Sequence, residues 1–496
     1  MLPDRSLSSI LGIFFNKKRN LTQQKSKICI LYTGGTFGMI PRMPEVTSSP
    51  LVPADRETLM AALQGAGRGK GIEWDLLSLT EDDGSEVGPL DSSSVGPQHW
   101  LTIAAAIERN YENYDGFVVI HGTDTLAYTA SALSYLLVNL GKPVVLTGSQ
   151  RPIFFERNDA HQNLLNALYV AGFQATGLPC VPEVTVCFGD HLLRGNRTRK
   201  VSVEARAAFS SPNYPVLGTF GASIQIDRKR IRETPNEDRP FYAHRRLEDR
   251  VMDLTLYPGV RGEQLRPFFE RDDIKGFVLR TFGSGTTPRD VELLEAVARA
   301  ARCGKIMLVV TQCVEGSVDL GRYDASTTLL ESGVVSGFDL TPEAALTKLM
   351  WLLALEQGDE LQAQIQVCHR GEQSYDHHHL VFEGTSGCDL KNYSGRPAAP
   401  FPRKNLRRAL LRASDCDNDY LTFFLNATGV DPTTSESDVR SLGRMNIHNG
   451  KGVLDVTRRL RQLMIDNRPL RLTVSSGGAP LSFSRLDLTL LVSSEF

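Results

Sequence analysis

The first half of the chain alternates short segments that are apolar throughout with longer amphipathic segments. The predicted strands are residues 27–33, 116–120, 142–148 and 183–188, and the predicted helices between them are residues 97–110, 129–140 and 160–172. Apolar strands separated by helices are typical of a parallel sheet that is covered on both faces. Ligands of such sheets bind at the carboxyl ends of the strands, so the residues that follow each strand are the candidates for function.

A second alternating series follows a polar stretch, residues 190–250, that is rich in arginine and proline. The predicted strands of this series are residues 253–257, 276–281 and 305–312, and its predicted helices are residues 262–270, 289–302 and 341–356. The series predicts a second, smaller α/β domain. After about residue 372 the sequence becomes turn-rich, and the stretch 471–493 is predicted to form a hairpin.

These patterns predict an α/β protein with a large N-terminal parallel-sheet domain and a smaller C-terminal α/β domain. An additional C-terminal module is predicted to have a mixed α and β fold. The predicted boundaries are 1–26 for a disordered or loosely docked leader, 27–245 for the N-terminal domain, 252–372 for the C-terminal domain and 375–496 for the extra module.

Composition argues against several classes of function. The formal net charge of -2 gives no global field that favours nucleic acid or an anionic membrane. No apolar run reaches the length of a membrane span, and we expect a cytoplasmic protein. Eight cysteines without C-x-x-C spacing argue against a disulfide framework or a zinc cluster. No P-loop or dinucleotide fingerprint is present, so we predict neither a cofactor nor a metal, and the triplet 377–379 (HHH) is interpreted as a solvated turn.

Residues with nucleophilic and acid–base chemistry follow several of the predicted strands. Thr36 follows the first strand, Thr123 and Asp124 follow the second, and Lys200 follows the fourth. A threonine hydroxyl is a poor nucleophile near neutral pH and needs a base, and a lysine with a lowered pKa beside a carboxylate could relay the proton. Taken singly, Thr36 and Asp124 could be turn or helix caps and Lys200 a surface charge. Their joint position at one sheet edge favours catalysis.

Two of these strand-end motifs resemble the paired signatures of bacterial-type L-asparaginases. The motifs are TGGT at residues 33–36 and HGTDT at residues 121–125. The flanking sequences "LLRGNRTRK", "TQCVEGSVDLGRY" and "SGFDLTPEAALTKL" are similar to the cytosolic type I branch of that family. The resemblance extends in order over residues 27–372 and does not include 1–26 or 375–496.

The resemblance implies hydrolysis of L-asparagine to L-aspartate and ammonia through a covalent acyl-threonine intermediate. It implies that Thr36, on a mobile segment at the pocket mouth, is the nucleophile. The second catalytic set would be Thr123, Asp124 and Lys200, and the substrate-binding residues would be Asp91, Ser92, Thr123 and Asp124. The family needs no cofactor and forms dimers or dimers of dimers, so a homodimer or homotetramer is expected.

The chain departs from the bacterial pattern at three positions. No tyrosine occurs between Thr36 and Tyr111, where many family members place a tyrosine that polarises the nucleophile. Mammalian-type relatives are similar in this respect, and by resemblance Tyr323 would supply the missing hydroxyl. Thr286 stands where the family often has an asparagine from a neighbouring subunit, and Arg199 stands where bacterial members have a threonine linked to an allosteric site.

Other functions remain open at this point. Glutaminase activity, or transfer of the amide to another acceptor, belongs to the same chemical class. A catalytically weak protein that senses asparagine is an alternative from a different class, favoured by the missing tyrosine and opposed by the four intact catalytic positions. Lysophospholipid hydrolysis, which is assigned to some mammalian-type relatives, usually requires a G-x-S-x-G motif or a Ser-His-Asp arrangement, and no G-x-S-x-G occurs here.

Overall fold

The chain divides into two compact units. The computed structural model describes residues 24–496 except 44–48, 82, 237, 321–325, 327–328, 331, 357, 384–389, 396–405, 415, 426–439, 450, 464–469, 476–484 and 494–496. Unit 1 consists of Met1–Ser211 and Pro215–Arg245, and unit 2 consists of Pro212–Tyr214 and Arg246–Phe496.

Unit 1 is built from strands that alternate with helices. Its strands are β1 (Ser26–Tyr32), β2 (Met39–Pro41), β3 (Leu51–Pro53), β4 (Ile72–Thr80), β5 (Glu86–Val87), β6 (Gly116–Ile120), β7 (Leu137–Val138), β8 (Val144–Thr147), β9 (Val184–Phe188), β10 (His191–Arg194), β11 (Arg199–Lys200), β12 (Phe209–Ser210), β13 (Gly218–Phe220), β14 (Ile224–Ile226) and β15 (Tyr242–Ala243). Its α-helices are α1 (Arg56–Leu63), α2 (Pro97–Asn110), α3 (Leu126–Leu136), α4 (Ala160–Ala171) and α5 (Phe173–Thr176).

Nine of these strands form one sheet with the order β14-β13-β10-β9-β8-β6-β1-β4-β5. The five central strands, from β9 to β4, are parallel, whereas the strands at both edges pair antiparallel. Every residue of β6, β8 and β9 is buried, as expected for central strands with helices on both faces. The predicted α/β fold is confirmed, and the carboxyl ends of β1, β6 and β8 lie side by side.

Helix α2 has the predicted bounds because local signals mark both its start and its buried face. A proline occupies its first position, and His99 Nδ1 accepts a hydrogen bond of 3.1 Å from the Gly96 N–H, which has no partner within the helix. Apolar residues recur at intervals of three and four along the helix. The buried apolar residues of this face include Trp100, Ile103, Ala104 and Ile107.

The predicted helix 129–140 is displaced in the structure. Helix α3 spans Leu126–Leu136, and the next two residues leave the helix as strand β7, which pairs antiparallel with β15. Asn139 then adopts a left-handed conformation with φ of 56°. The segment is apolar almost throughout, so its sequence contains no polar signal for the end of the helix. The helix ends where β7 pairs with β15, a strand that is distant in sequence.

The polar stretch 190–250 also contains more regular structure than its sequence suggests. Strands β10, β13 and β14 extend the large sheet by antiparallel pairing. These strands have only three or four residues each and lie at an edge of the sheet, so they lack the continuous apolar run that identifies central strands.

Unit 2 begins with a second α/β series and continues with antiparallel strands. Its strands are β16 (Val251–Thr255), β17 (Gly276–Thr281), β18 (Ile306–Thr311), β19 (Val335–Ser336), β20 (Tyr375–Glu383), β21 (Leu390–Gly395), β22 (Leu406–Ser414), β23 (Tyr420–Leu425), β24 (Ser441–Asn446), β25 (Gly452–Asp455), β26 (Leu470–Ser475) and β27 (Arg485–Ser493). Its α-helices are α6 (Gly262–Phe269), α7 (Val291–Arg302), α8 (Pro342–Leu353), α9 (Gly358–Ile365) and α10 (Thr457–Leu463).

The first part of unit 2 confirms the predicted second α/β domain. Strands β16, β17, β18 and β19 form a four-stranded parallel sheet in that order. Helix α7 packs its apolar face on this sheet, in a buried cluster that includes Leu293, Val297, Phe277 and Val309. No helix in the described ranges of the chain has both the length and the apolar character needed to cross a lipid bilayer.

The extra module contains two four-stranded antiparallel sheets with the orders β20-β27-β22-β25 and β21-β26-β23-β24. Side chains from both sheets share one buried cluster, including Leu411, Phe423, Leu472 and Leu488. The predicted terminal hairpin is wrong, because β26 and β27 belong to different sheets. The predicted turn at 377–379 is also wrong, because these residues lie within β20, although their side chains are outside the described residues.

A buried ion pair joins helix α8 to the segment that leads into the extra module. Lys348 Nζ lies 2.7 Å from Glu372 Oε1, and both side chains have 0% exposure. The ammonium also donates to the Val367 carbonyl and to Gln373 Oε1, so each of its three donors has a partner. Burial, the largest single influence, raises the pKa of Glu372, but the Lys348 and His369 charges together with the hydrogen bonds from these two residues outweigh it, and the pKa lies well below its ordinary value.

We expect Glu372→Gln to destabilise unit 2 by about 3–5 kcal/mol, because it leaves the Lys348 ammonium buried without a counter-charge. Urea denaturation followed by circular dichroism measures this loss. The matched control is Glu73→Gln, whose partner Lys25 is 73% exposed, and its effect should be negligible beside that of Glu372→Gln. Equal effects of the two variants would contradict a structural role for the buried pair.

Candidate active site

The two threonine motifs meet through a contact between glycine backbones. A Cβ atom on Gly35 would lie 2.2 Å from the Gly122 Cα, closer than any side chain allows. Gly35 has a φ of 81°, a conformation that glycine adopts without strain. Since β1 and β6 are neighbours in the sheet, the glycines bring the loops that carry Thr36 and Thr123 together at one edge.

The turn that carries Thr36 is anchored through the two residues that follow it. Thr36 begins a 3-10 helix (Thr36–Gly38), and the side chain of Phe37 is fully buried. The Phe37 carbonyl accepts a hydrogen bond from the Ile153 N–H, and the Gly38 carbonyl accepts one from the Ala54 N–H. Thr36 is thus half-buried on an anchored turn, and the mobility of this segment stays a prediction.

Lys200 joins the residues that the sequence places in a second catalytic set. Its Nζ donates to Thr123 Oγ1 at 2.8 Å and to Asp124 Oδ1 at 2.6 Å. The Lys200 side chain is 18% exposed, whereas that of Asp124 is 63% exposed. Lys200 lies in β11, which pairs antiparallel with β12 and is not part of the large sheet. Because the Thr123 oxygen accepts from the ammonium, its hydroxyl proton can be donated elsewhere.

Ser92 is packed against the second motif. Its Oγ accepts a 3.3 Å hydrogen bond from the Asp124 N–H, and its carbonyl accepts a 2.6 Å hydrogen bond from Thr125 Oγ1. Asp91 precedes it, is exposed, and accepts a hydrogen bond from the Ser93 N–H at the start of the 3-10 helix Ser92–Ser94. The predicted substrate-binding pair thus adjoins Asp124.

His121 is a residue of this site whose role sequence reasoning missed. Its ring is fully buried at the end of β6, and burial lowers its pKa to about 4. Nδ1 lies 2.7 Å from the Gly122 carbonyl oxygen and Nε2 lies 3.0 Å from Thr129 Oγ1. Thr129 Oγ1 also accepts a hydrogen bond from Trp100 Nε1 at 3.1 Å. The signal in the sequence was a histidine directly after an apolar strand, which alone is typical of a core residue.

The remaining sequence candidates are Tyr323, Thr286 and Arg199. Tyr323 lies outside the described residues, so its position stays a prediction. Thr286 belongs to unit 2, where its hydroxyl donates to the Phe282 carbonyl. Arg199 is half-buried beside Lys200 in β11. The described part of the chain contains no group of three or more His, Cys, Asp or Glu side chains placed to hold a metal ion.

Comparison with known proteins agrees with this fold. Models of "Asparaginase, N-terminal" and "Glutaminase/Asparaginase C-terminal domain" match residues 27–232 and 250–365. L-asparaginase 1 of Escherichia coli (strain K12) is 39% identical over 338 residues, which are 68% of this chain and 94% of that protein. The 60 kDa lysophospholipase of Mus musculus is 40% identical over 337 residues, which are 66% of this chain and 58% of that protein.

A solved structure extends the agreement to three dimensions. The crystal structure of L-asparaginase I from Vibrio cholerae has 38% sequence identity and a TM-score of 0.61, and the match covers 70% of this chain and 99% of that one. In fold and sequence, the chain is similar to L-asparaginases over its first two domains. It belongs to the asparaginase family. The resemblance seen in the sequence is confirmed, and residues after 365 lie beyond both family models.

We expect Gly122→Ala to destabilise unit 1 by about 1–3 kcal/mol through overpacking. The added Cβ would lie 2.6 Å from both Cβ and Oγ of Ser92 and 3.1 Å from the Gly35 Cα. The change in stability is measured by urea denaturation. Ser92→Gly in the Gly122→Ala background removes the two closest atoms and should recover part of the loss.

Gly88→Ala is the matched control for this prediction. A Cβ at Gly88 meets no atom within 4 Å, and this glycine does not have a left-handed φ. Its stability should change by less than about 0.5 kcal/mol. If Gly122→Ala were as stable as Gly88→Ala, the close backbone contact between the two motifs would be refuted.

Proposed function

We propose that this chain hydrolyses L-asparagine to L-aspartate and ammonia. The observation that carries the proposal is the position of Lys200 Nζ between Thr123 Oγ1 and Asp124 Oδ1. This group lies at the sheet edge where the Thr36 loop contacts Gly122. A hydroxyl nucleophile, a lysine that can move a proton and a carboxylate are the parts that acyl transfer from an amide requires.

In the proposed reaction, Thr36 Oγ attacks the carbonyl carbon of the side-chain amide. In this step Lys200 acts as the neutral amine: Thr123 takes the Thr36 proton and gives its own to Nζ. The ammonium so formed protonates the leaving nitrogen, so ammonia departs and a β-aspartyl ester of Thr36 remains. Water then attacks the ester carbon, the Thr36–acyl bond breaks, and L-aspartate is released with the threonine regenerated. The Thr123 N–H, which donates no hydrogen bond within the described residues, stabilises the oxyanion that forms on the carbonyl oxygen.

Substrate selection follows from the charges around this group. The Asp124 carboxylate is 63% exposed and so can reach the α-ammonium group of the substrate. Ser92 and Asp91, which adjoin it, complete the proposed substrate-binding set with Thr123. A small amino acid that carries an ammonium group and a side-chain amide fits these groups without a cofactor.

Three further parts complete the proposal. The role of Tyr323, whose hydroxyl is proposed to polarise Thr36, stays a prediction. A homodimer or homotetramer is proposed from the family resemblance, and light scattering tests it. A cytoplasmic location is proposed because each of the seven cysteines that the structure describes is free, in keeping with a reducing compartment.

We expect Thr36→Ala to abolish ammonia release from L-asparagine because the nucleophilic hydroxyl is lost. Thermal stability should stay near that of the wild type because only the hydroxyl and methyl groups of a half-buried side chain are removed. A coupled ammonia assay and a thermal melt measure the two quantities. Thr219→Ala, at an exposed position of β13, is the control and should retain full activity. Near wild-type turnover by the Thr36→Ala variant would show that another group is the nucleophile.

We expect Lys200→Met and Asp124→Asn to have different effects on the steady-state parameters kcat and KM. Lys200→Met removes the proton relay and should lower kcat by about 10²-fold or more. Asp124→Asn should in addition raise KM, because it removes the charge that binds the substrate ammonium. Lys70→Met replaces an exposed lysine of the same unit and serves as the control. A loss of less than threefold in kcat for both variants would contradict these roles.

A further inference from the structure

His121 immediately precedes Gly122 and Thr123 in the chain, and its ring is fully buried. Its ring takes part in a chain of hydrogen bonds that begins at Trp100 Nε1 and passes through Thr129 Oγ1 to Nε2. On the other side of the ring, Nδ1 faces the Gly122 carbonyl oxygen at 2.7 Å. The chain therefore ends on the peptide bond that joins Gly122 to Thr123.

The partners of the ring determine its tautomer. Because burial lowers the pKa of His121 to about 4, the ring is neutral at pH 7 and carries one N–H. A carbonyl oxygen can only accept, so the proton is on Nδ1 and is donated to Gly122. Nε2 then accepts from the Thr129 hydroxyl, whose oxygen accepts in turn from Trp100. Each polar group of this buried chain has a partner.

The hydrogen bond to Gly122 determines the direction of the next N–H group. The structure contains no cis peptide bond among the described residues. In a planar trans peptide, the carbonyl and the N–H point in opposite directions. With the Gly122 oxygen directed at the buried ring, the Thr123 N–H points away from it. That N–H is the proposed oxyanion donor.

We propose that His121 is a positioning residue that orients the Gly122–Thr123 peptide, so that the Thr123 N–H is directed at the oxyanion of the amide hydrolysis. The inference rests on the proposed function, and it adds a group that does not touch the substrate. An oriented donor lowers the barrier only if it is held in place before charge develops. The buried ring supplies that restraint, since rotation of the peptide would break the Nδ1–H bond.

Two isosteric substitutions separate orientation of the peptide from general packing. In His121→Asn, the side-chain amide can place its NH₂ group near the position of Nδ1 and keep the donor to Gly122. In His121→Gln, the amide reaches the position of Nε2, near Thr129, and the donor to Gly122 is lost. Both variants shrink the ring to an amide, so both should lower the melting temperature.

The expected result is a difference in kcat that stability does not explain. His121→Gln should lower kcat by about 10-fold or more, equivalent to about 1.4 kcal/mol of barrier, with KM for L-asparagine changed by less than about threefold. His121→Asn should retain kcat within about threefold of the wild type. The fall appears in kcat because the oxyanion donor acts on the transition state more than on bound substrate.

Thr129→Val provides a control that destabilises without removing the Gly122 contact. It deletes the acceptor of Trp100 and the donor to Nε2, and it leaves Nδ1 free to donate as before. Its melting temperature should fall while kcat stays within about threefold of the wild-type value. The proposal is overturned if kcat falls in all three variants in proportion to melting temperature, or if His121→Gln keeps wild-type kcat.

A matched measurement distinguishes failure of this inference from failure of the proposed function. If wild-type protein releases no ammonia from L-asparagine, the proposed function is wrong and the inference falls with it. If the wild type is active, Thr36→Ala is inactive and His121→Gln has wild-type kcat, the reaction stands and only the role of His121 is rejected.

Discussion

The approach of Gly35 to Gly122 is the contact on which the rest of the site depends. A Cβ on either residue would meet the backbone of the other at 2.2 Å or 3.1 Å, so the two strand-end loops can meet only as glycines. Each glycine is followed by a threonine, and the contact therefore sets the nucleophile candidate beside Thr123. Lys200 then connects this hydroxyl to the carboxylate of Asp124 from a strand pair outside the parallel sheet.

Much of the fold could be predicted because central strands and amphipathic helices leave periodic patterns in the sequence. Strand β6 and helix α2 have their predicted bounds. Every residue of the strand is buried and is apolar or glycine, and the helix buries one face whose apolar residues recur with the helical period, so both patterns are visible in the sequence. The end of helix α3 and the edge strands β10, β13 and β14 were missed. Their positions depend on pairing with distant segments, which periodicity along the chain does not record.

The part of the candidate site that could be predicted from the sequence consists of reactive residues that follow predicted strands. Thr123, Asp124 and Lys200 were expected together and are joined by hydrogen bonds in the structure. The anchoring of the Thr36 turn depends on loops that are distant in sequence, so the motif alone could not predict it. His121 could not be assigned a role from the sequence, because its proposed role depends on the direction of a neighbouring carbonyl and not on its own spacing.

In the proposed reaction on L-asparagine, the glycine contact presents Thr36 as the acyl acceptor. The most direct test is rapid acid quenching of the protein during turnover, followed by mass spectrometry of the peptide that contains Thr36. The account predicts a transient population of this peptide heavier by one aspartyl group, with the added mass on Thr36. A modification located on another residue, or active turnover without any acylated peptide under conditions that trap esters, would contradict the account.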